Sequence, residues 1–256
     1  MRQIHPADPA GPPPDLPARY AYPSAGQLAG RPWVRANMIE SADGAAELGG
    51  LSGRLSGPAD RNVFGLLRAL ADVILVGAGT ARAERYRPVR VPARWAVLRA
   101  GRPATPPIAV LTAQLDLDLD SPLLTAAPGD ARTIVITTGS APARTRQRAT
   151  RHADVIIAGD QHADLGAAVR ALAGRGYRRV LAEGGPRLLG QLAAAGLLDE
   201  LCVTVSPLLA SGTAGRIVQG STGAAASRLA LAHVLEDEGY LFCRYLVQPG
   251  PGVIPG

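Results

Sequence analysis

The feature that most constrains this chain is the alternation of short apolar runs with helical segments and glycine turns. Short aliphatic runs bounded by turn residues are typical of strands buried on both faces of a sheet. Strands are predicted over residues 33–39, 72–76, 108–112, 133–138, 154–158, 179–182, 201–205, 229–235 and 240–247. Helices are predicted over residues 58–70, 165–173 and 187–195. This alternation indicates an α/β domain with a mostly parallel central sheet and helices on both faces.

The two ends of the chain depart from this pattern. Residues 1–31 are proline-rich and predict an irregular arm outside the core, and residues 249–256 predict a similar tail. A single domain over residues 32–248 is therefore expected between them. The pair Glu238-Gly239 suits a hairpin turn, so the domain is expected to close with an antiparallel hairpin. The Pro- and Arg-rich stretch 90–107 predicts a loop insertion.

Composition excludes several classes of chemistry. The chain contains no lysine, because all 27 basic residues are arginine. It therefore has no Schiff-base lysine, no pyridoxal phosphate anchor and no Walker-type phosphate lysine. The arginines are mostly scattered, which favours a solvated surface over a nucleic-acid patch despite the net charge of +6. No nucleic-acid partner is expected.

Other sequence signals bear on membrane insertion, secretion and metal binding. No apolar run reaches the ~18–20 residues needed to cross a membrane, and the N-terminus has no secretory pattern. Cys202 and Cys243 lie in separate apolar runs without the spacing of a zinc site, and the four histidines are scattered. A cytoplasmic protein with no metal site and no membrane partner is expected.

The turn Glu183-Gly184-Gly185-Pro186 is the main candidate for ligand binding. A buried strand ends there and a helix begins at once. Glycines allow a ligand to approach the backbone closely, and the free N–H groups of a helix N-terminus suit a pyrophosphate. An acid at the end of a parallel strand lies at the edge of the ligand crevice, so Glu183 could face a substrate. The same residues also suit an ordinary tight turn with Glu183 as a helix cap.

A second glycine turn follows another buried strand at Val76-Gly77-Ala78-Gly79. It imitates the dinucleotide fingerprint Gly-x-Gly-x-x-Gly, but Arg82 stands at the third glycine. No acidic residue ends a second strand at the required distance, so a standard Rossmann domain is disfavoured. A different nucleotide-binding fold with glycines at two strand ends is predicted.

A third segment, residues 37–53, runs from a strand into a loop rich in glycine and serine. Such a loop beside a crevice could cover a substrate, and it could equally be a plain surface loop.

Taken together, several short motifs resemble one family in their order and spacing. They are Ser41-x-Asp43-Gly44, Leu67-Arg68-Ala69, Ile74-Leu75-Val76-Gly77-x-x-Thr80, Glu183-Gly184-Gly185-x-x-Leu188, Leu198-Asp199-Glu200-Leu201 and Ser206-Pro207. The chain thus resembles the riboflavin-biosynthesis pyrimidine reductases, the RibD C-terminal domain-like family, over about residues 32–247. The resemblance implies a dihydrofolate reductase-like fold. It also implies NADPH as hydride donor, a phosphoribosylamino-pyrimidinedione substrate reduced to its ribityl product, and a homodimer.

Site residues are carried over from this resemblance by position. Glu183 is the expected catalytic residue, which orients the substrate or manages its proton. The resemblance implies substrate contacts by Ser52, Arg68 and Glu183, with the Arg68 fork on the substrate phosphate. It implies NADPH contacts by Thr80, Glu84, Thr112, Ala113, Gly184, Gly185, Pro186, Arg187, Leu188 and Leu189.

The chain also departs from the family pattern. Asn37 or Arg35 lies near the position of a family lysine, and Arg54 stands where a tryptophan is common. Glu84 and Arg85 replace two consecutive acids, and no zinc signature of the deaminase half is present. Two alternatives therefore stay open. They are a dihydrofolate reductase-like enzyme acting on a pteridine, and a non-catalytic protein that binds a nucleotide or flavin.

Overall fold

The computed structural model describes residues 1–7, 12–28, 30–220 and 226–248. The strands are β1 Arg2–His5, β2 Trp33–Ser41, β3 Val73–Gly77, β4 Ile108–Leu111, β5 Thr133–Thr137, β6 Ala153–Ile157, β7 Arg179–Ala182, β8 Glu200–Ser206, β9 Leu229–Asp237 and β10 Tyr240–Val247. The helices are α1 Leu16–Arg19, α2 Ala25–Leu28, α3 Pro58–Leu70, α4 Ala78–Ala83, α5 Pro122–Thr125, α6 Ala143–Ala149, α7 Leu165–Gly174 and α8 Pro186–Ala194.

All ten strands form one sheet in the order β1-β9-β10-β8-β2-β7-β3-β4-β5-β6. The strands from β8 to β6 in this order pair in parallel, whereas β10, β9 and β1 are antiparallel. This arrangement confirms the predicted parallel sheet and its closing antiparallel hairpin. The carboxyl ends of β2, β3 and β7 lie side by side, because β7 pairs with both of the others.

The core has one layer on each face of the sheet. Helix α3 contributes Val63, Leu66 and Leu67 to the first layer, while α7 and α8 contribute Leu172 and Leu192 to the second. Apolar residues spaced three and four apart give α3 the buried stripe that its sequence predicts. The prediction of helices on both faces is confirmed. No helix among the described residues is long and apolar enough to cross a membrane.

The prediction of an irregular N-terminal arm outside the core is wrong for its described part. Strand β1 pairs with β9, and Tyr20 is only 1% exposed and packs edge-on against His233 at 5.0 Å. The unpaired backbone groups at the edge of β9 offer a ladder for β1. The elements of this proline-rich segment are short, but the segment still reaches the core. The predicted tail, residues 249–256, lies outside the described residues.

The predicted loop insertion at residues 90–107 holds a 3₁₀ helix, Ala93–Arg99, which packs against α3. Arg99 is 3% exposed and donates hydrogen bonds to the carbonyls of Ala69 and Ala71. These carbonyls lie at the end of α3 and have no partner within the helix, so Arg99 satisfies them. Hydrogen bonds from Arg99 thus help to hold this part of the predicted loop against α3.

Candidate active site

The two glycine turns that the sequence singles out meet at the carboxyl end of the sheet. Gly77 ends β3, and its N–H donates to the carbonyl of Gly184 at 2.8 Å. Gly184 and Gly185 follow β7 directly and are joined by a cis peptide bond. Helix α4 begins after the first turn and α8 after the second, so two helix N-termini converge at one sheet edge.

The approach of these two turns is close. A Cβ atom on Gly185 would overlap the hydroxyl oxygen of Thr80 on α4. A larger residue at position 185 would have to displace the Thr80 hydroxyl, so glycine keeps this close approach open. Pro186 occupies the first turn of α8 and has no N–H, so the free backbone donors there belong to Arg187 and Leu188.

A cavity of about 1150 Å³ opens beside these turns. A pocket of this size accommodates ligands larger than most drug molecules. It brings together seven of the predicted site residues, namely Ser52, Arg68, Thr80, Glu84, Glu183, Gly185 and Pro186. The candidate substrate and cofactor residues therefore face one common space.

Glu183 is the most constrained side chain of the cavity wall. Its carboxylate accepts hydrogen bonds from Arg68 Nε and Nη2, both at 2.7 Å, and from the Tyr86 hydroxyl at 2.7 Å. The Glu183 side chain is 2% exposed and that of Arg68 is 21% exposed. The Arg68 fork, expected on a substrate phosphate, is engaged by Glu183 instead.

Two aromatic rings lie close to the guanidinium of this ion pair. The Arg68 guanidinium lies 4.0 Å from the ring centre of Phe64 and 5.6 Å from that of Tyr86. Burial opposes the charged form of Arg68, but the Glu183 carboxylate outweighs it and raises the pKa of Arg68. Burial, reinforced by the neighbouring charge of Glu183, raises the pKa of Tyr86 well above its ordinary value. Tyr86 is therefore a hydrogen-bond donor at neutral pH.

Ser52 and Glu84 form a second pair in the cavity wall. The Ser52 N–H and hydroxyl both donate to Glu84 Oε1, at 2.7 and 2.8 Å. Glu84 follows the last turn of α4, and Ser52 opens a 3₁₀ helix in the glycine-rich loop. The contact therefore ties the loop to the helix that carries Thr80.

The Ser41-x-Asp43-Gly44 motif fastens a loop instead of lining the cavity. Asp43 accepts hydrogen bonds from the Ser41 hydroxyl at 2.5 Å and from the N–H groups of Ala210 and Ser211 at 3.0 and 2.8 Å. The Ser41 hydroxyl, followed by these two backbone donors, lowers the pKa of Asp43 to about 2. Asp43 thus pins the segment after β8, whose Gln219 reaches the cavity and bonds to Pro186.

The remaining predicted cofactor residues are placed away from the cavity wall. Thr112 is 6% exposed and its hydroxyl accepts from the N–H of Asp116, while the Ala113 carbonyl accepts from Thr137 and Thr138. The side chains of Leu188 and Leu189 point into the core, so only backbone atoms of α8 are offered there. Gly184 is buried and Arg187 is exposed outside the lining.

Several other residues of the cavity wall escaped the sequence analysis, among them Tyr86 and Asp60. Asn37, at the start of the segment that could cover a substrate, also lines the cavity. Burial raises the pKa of Asp60, which accepts a hydrogen bond from the Ser56 hydroxyl at 2.6 Å. An acid in the first turn of α3 was visible in the sequence, but helix stabilisation explains such a residue equally well. No group of three or more His, Cys, Asp or Glu side chains that could hold a metal was found among the described residues.

Comparison with known proteins decides the family. The RibD C-terminal domain family matches residues 32–241, which is most of the chain. The chain belongs to the RibD C-terminal domain family. The predicted resemblance is therefore confirmed, and the match begins one residue before β2.

Individual members of the family are similar over most of their lengths. A 2,5-diamino-6-ribosylamino-4(3H)-pyrimidinone 5′-phosphate reductase from Archaeoglobus fulgidus is 29% identical over 188 residues, which cover 71% of this chain and 83% of that protein. The crystal structure of a pyrimidine reductase-like protein from Corynebacterium diphtheriae is 30% identical, with a TM-score of 0.80, covering 92% and 99% of the two chains.

The fold recurs in a more distant protein. The riboflavin biosynthesis reductase Rib7 of Saccharomyces cerevisiae has a TM-score of 0.65 at 19% identity, covering 92% of this chain and all of that one. The likeness shows the shared fold, and with it the predicted fold class is confirmed.

Proposed function

We propose that this protein is an NADPH-dependent reductase of the riboflavin-pathway type. Its proposed substrate is a ribosylaminopyrimidine 5′-phosphate, and its product is the corresponding ribityl compound. The observation that carries the proposal is the cavity in which the Arg68–Glu183 pair lies beside the Gly185–Thr80 cradle. Family membership and the names of the relatives support the same reaction class.

The glycine cradle fits a nicotinamide dinucleotide. At Gly185 any side chain would fill the space beside Thr80, and the N-terminus of α8 offers backbone N–H groups to a pyrophosphate. When bound, NADPH would supply the hydride that forms the new C–H bond at C1′ of the substrate ribose, while the C1′–O4′ bond breaks and O4′ takes up a proton from water. We propose that Thr80, Glu84 and the turn from Gly184 to Leu189 contact the cofactor, with Thr112 and Ala113 near its adenosine ribose.

The protein's own residues then position the acceptor. Glu183 is held by Arg68 and Tyr86, which fixes its orientation at the cavity wall. We propose that it accepts a hydrogen bond from the substrate and keeps C1′ in line for the hydride. Ser52 is proposed to contact the substrate from the opposite loop, where Glu84 holds it.

A set of parallel assays separates this function from its alternatives. Purified enzyme is mixed with NADPH and, in turn, the 2,5-diamino pyrimidinone, the 5-amino uracil and dihydrofolate, and cofactor oxidation is followed. Turnover with a ribosylaminopyrimidine alone is expected. Turnover with dihydrofolate alone would favour the pteridine reductase, and NADPH binding without oxidation would favour a non-catalytic protein. Replacing NADPH by NADH in the same assay measures the cofactor preference.

We also propose a cytoplasmic homodimer. Leu229 and Leu231 on β9 are 41% and 39% exposed, and Leu231 pairs with the half-buried Tyr245 across β10. Exposed aliphatic side chains grouped on a sheet face suit an interface with a second copy. Light scattering is expected to give twice the chain mass, and Leu231→Glu is expected to give the monomer. A wild-type monomer at micromolar concentration would contradict the proposal.

A further inference from the structure

Tyr86 reaches the cavity through a reversal of the chain after α4. Arg85 adopts the left-handed backbone conformation, with φ at 51°, and the N–H of Tyr86 donates to the carbonyl of Ala81 at 2.9 Å. Few residues other than glycine, asparagine and aspartate adopt this conformation, so the reversal is a defined structural feature. It returns the Tyr86 ring toward β7, where its hydroxyl meets Glu183.

Counting acceptor positions shows what the Tyr86 hydroxyl achieves. A carboxylate has about four lone-pair positions in total. Glu183 Oε2 already accepts from two donors, Arg68 Nη2 and Tyr86. Glu183 Oε1 accepts from Arg68 Nε alone, so it is the less occupied oxygen. Tyr86 therefore makes Oε1 the oxygen that is more open to a hydrogen bond from a ligand.

We propose that Tyr86 is a positioning residue of this enzyme. Its hydroxyl and Arg68 together fix the Glu183 carboxylate so that Oε1, the less occupied oxygen, is presented to a donor group of the substrate. This inference rests on the proposed function and extends it by assigning a role to a residue outside the predicted site.

Tyr86 acts as a fixed donor and not as the proton source of the reaction. Loss of its proton would place a phenolate against the Glu183 carboxylate in a buried setting, where like charges repel strongly. Arg68 is the cation that faces both groups, and its fork already donates to Glu183. The donor role is therefore the one that this geometry supports.

The same turn also holds the opposite wall. Glu84, two residues before Tyr86, accepts both hydrogen bonds from Ser52. The turn from Glu84 to Tyr86 thus connects α4, which carries Thr80, with two residues proposed to face the substrate. Loss of the Tyr86 hydroxyl should therefore impair binding and reaction of the pyrimidine more than binding of the cofactor.

The test is Tyr86→Phe, which removes one hydroxyl and keeps the ring. We expect kcat/KM for the pyrimidine to fall about tenfold, as for loss of a hydrogen bond to a charged group. The Kd of NADPH is expected to change by less than about twofold, within the effect of a group outside the cofactor contacts. Tyr22→Phe is the matched control, because the Tyr22 hydroxyl donates to the carbonyl of Val180 on β7, the strand that Glu183 follows. It should leave both parameters unchanged.

A double-mutant cycle with Glu183→Gln asks whether Tyr86 acts through Glu183. Binding of the ribityl product by calorimetry is the readout, since it needs no turnover. Tyr86→Phe should weaken product binding several-fold in the wild type, and by less than about twofold in the Glu183→Gln background. Equal losses in both backgrounds, or a parallel loss of NADPH affinity, would overturn the inference. The wild-type rate tests the proposed function separately, and an active wild type matched by Tyr86→Phe overturns only the role of Tyr86.

Discussion

The protein contains two arginine–glutamate pairs with the same chemistry and different surroundings. Arg68 and Glu183 pair in the wall of the large cavity, where Arg68 keeps 21% of its side chain exposed. Arg35 and Glu200 pair between β2 and β8, and both side chains are fully buried. Both pairs are bidentate, so geometry at the ion pair alone does not separate a site from a structural contact.

The number of donors around each carboxylate does separate them. Glu200 accepts two hydrogen bonds from Arg35, two from Arg244, one from Trp33 and one from the Cys202 thiol. Glu183 accepts three, and one of its oxygens keeps an acceptor position. Burial opposes ionisation of Glu200, but the charge of Arg35 and the bonds from Arg244 outweigh it and lower its pKa to about 2. A saturated carboxylate stabilises the fold, whereas an unsaturated one beside a cavity can bind a ligand.

The largest expected effect is a loss of stability when the buried Arg35–Glu200 pair is broken. Glu200→Gln leaves the buried charge of Arg35 and the half-buried charge of Arg244 without a counterion, and we expect a loss of about 3–5 kcal/mol in the free energy of unfolding. Urea denaturation measures it. Asp116→Asn, which breaks the exposed pair with Arg82, is the control and should not move the midpoint. A Glu200→Gln variant as stable as the wild type would contradict the structural role of the Arg35–Glu200 pair.

The second prediction concerns the pair in the cavity. Glu183→Gln keeps the shape but removes the charge, and we expect kcat to fall about a hundredfold, in the range typical of a lost catalytic carboxyl. The Kd of NADPH should change by less than about twofold, because Glu183 faces the substrate in this account. Stopped-flow turnover and fluorescence titration measure the two. Equal losses of turnover and cofactor affinity would show that Glu183 serves the cofactor.

The third prediction tests whether the cavity pair adjoins a cofactor cradle. Gly185→Ala places a methyl group against the hydroxyl of Thr80, and we expect NADPH to bind about tenfold more weakly, as for overpacking at a tight contact. Gly174→Ala, at the end of α7, meets no atom within 4 Å and is the control. Unaltered NADPH affinity in Gly185→Ala would place the pyrophosphate elsewhere.

The smallest expected effect is the loss of stability at acid pH that is caused by His233, near the Arg35–Glu200 pair. Burial, followed by the charge of Arg244, lowers the pKa of His233 to about 4. Between pH 6.5 and 4 the unfolded chain binds a proton that the folded chain does not, so stability falls as the pH is lowered through this window. We expect a loss of about 1 kcal/mol from this residue after allowance for solvent screening. Thermal unfolding at pH 7 and pH 5 should show a smaller difference in His233→Phe, and an equal difference would exclude His233 as the cause.

Local patterns made much of the fold predictable. Most parallel strands are short apolar runs between turn residues, and the turn at Glu183 carries its glycines and helix start within a few positions. The N-terminal arm was mispredicted because Tyr20 is buried against His233, on a strand at the other end of the chain. Proline content predicted irregularity but contained no information on this distant partner.

Seven of the predicted site residues were brought together at the cavity, but their contacts could not be read from the sequence. Arg68 and Glu183 are 115 positions apart, and each was assigned to the substrate separately. Their ion pair depends on the topology of the fold. Helix α3, which carries Arg68, leads into β3, and β3 lies beside β7, which Glu183 follows. Tyr86 carries no motif, because its role comes from the reversal at Arg85. Pairings set by topology therefore lay beyond the sequence patterns.

We propose that NADPH bound in the cavity beside Glu183 gives its hydride to C1′ of a ribosylaminopyrimidine phosphate. The most direct measurement uses NADPH deuterated at the transferring position of the nicotinamide and locates the label in the product by NMR. We expect one deuterium at C1′ of the ribityl chain in the wild type, and little labelled product from Glu183→Gln. Cofactor oxidation without label at C1′, or label delivered only to a pteridine ring, would contradict it.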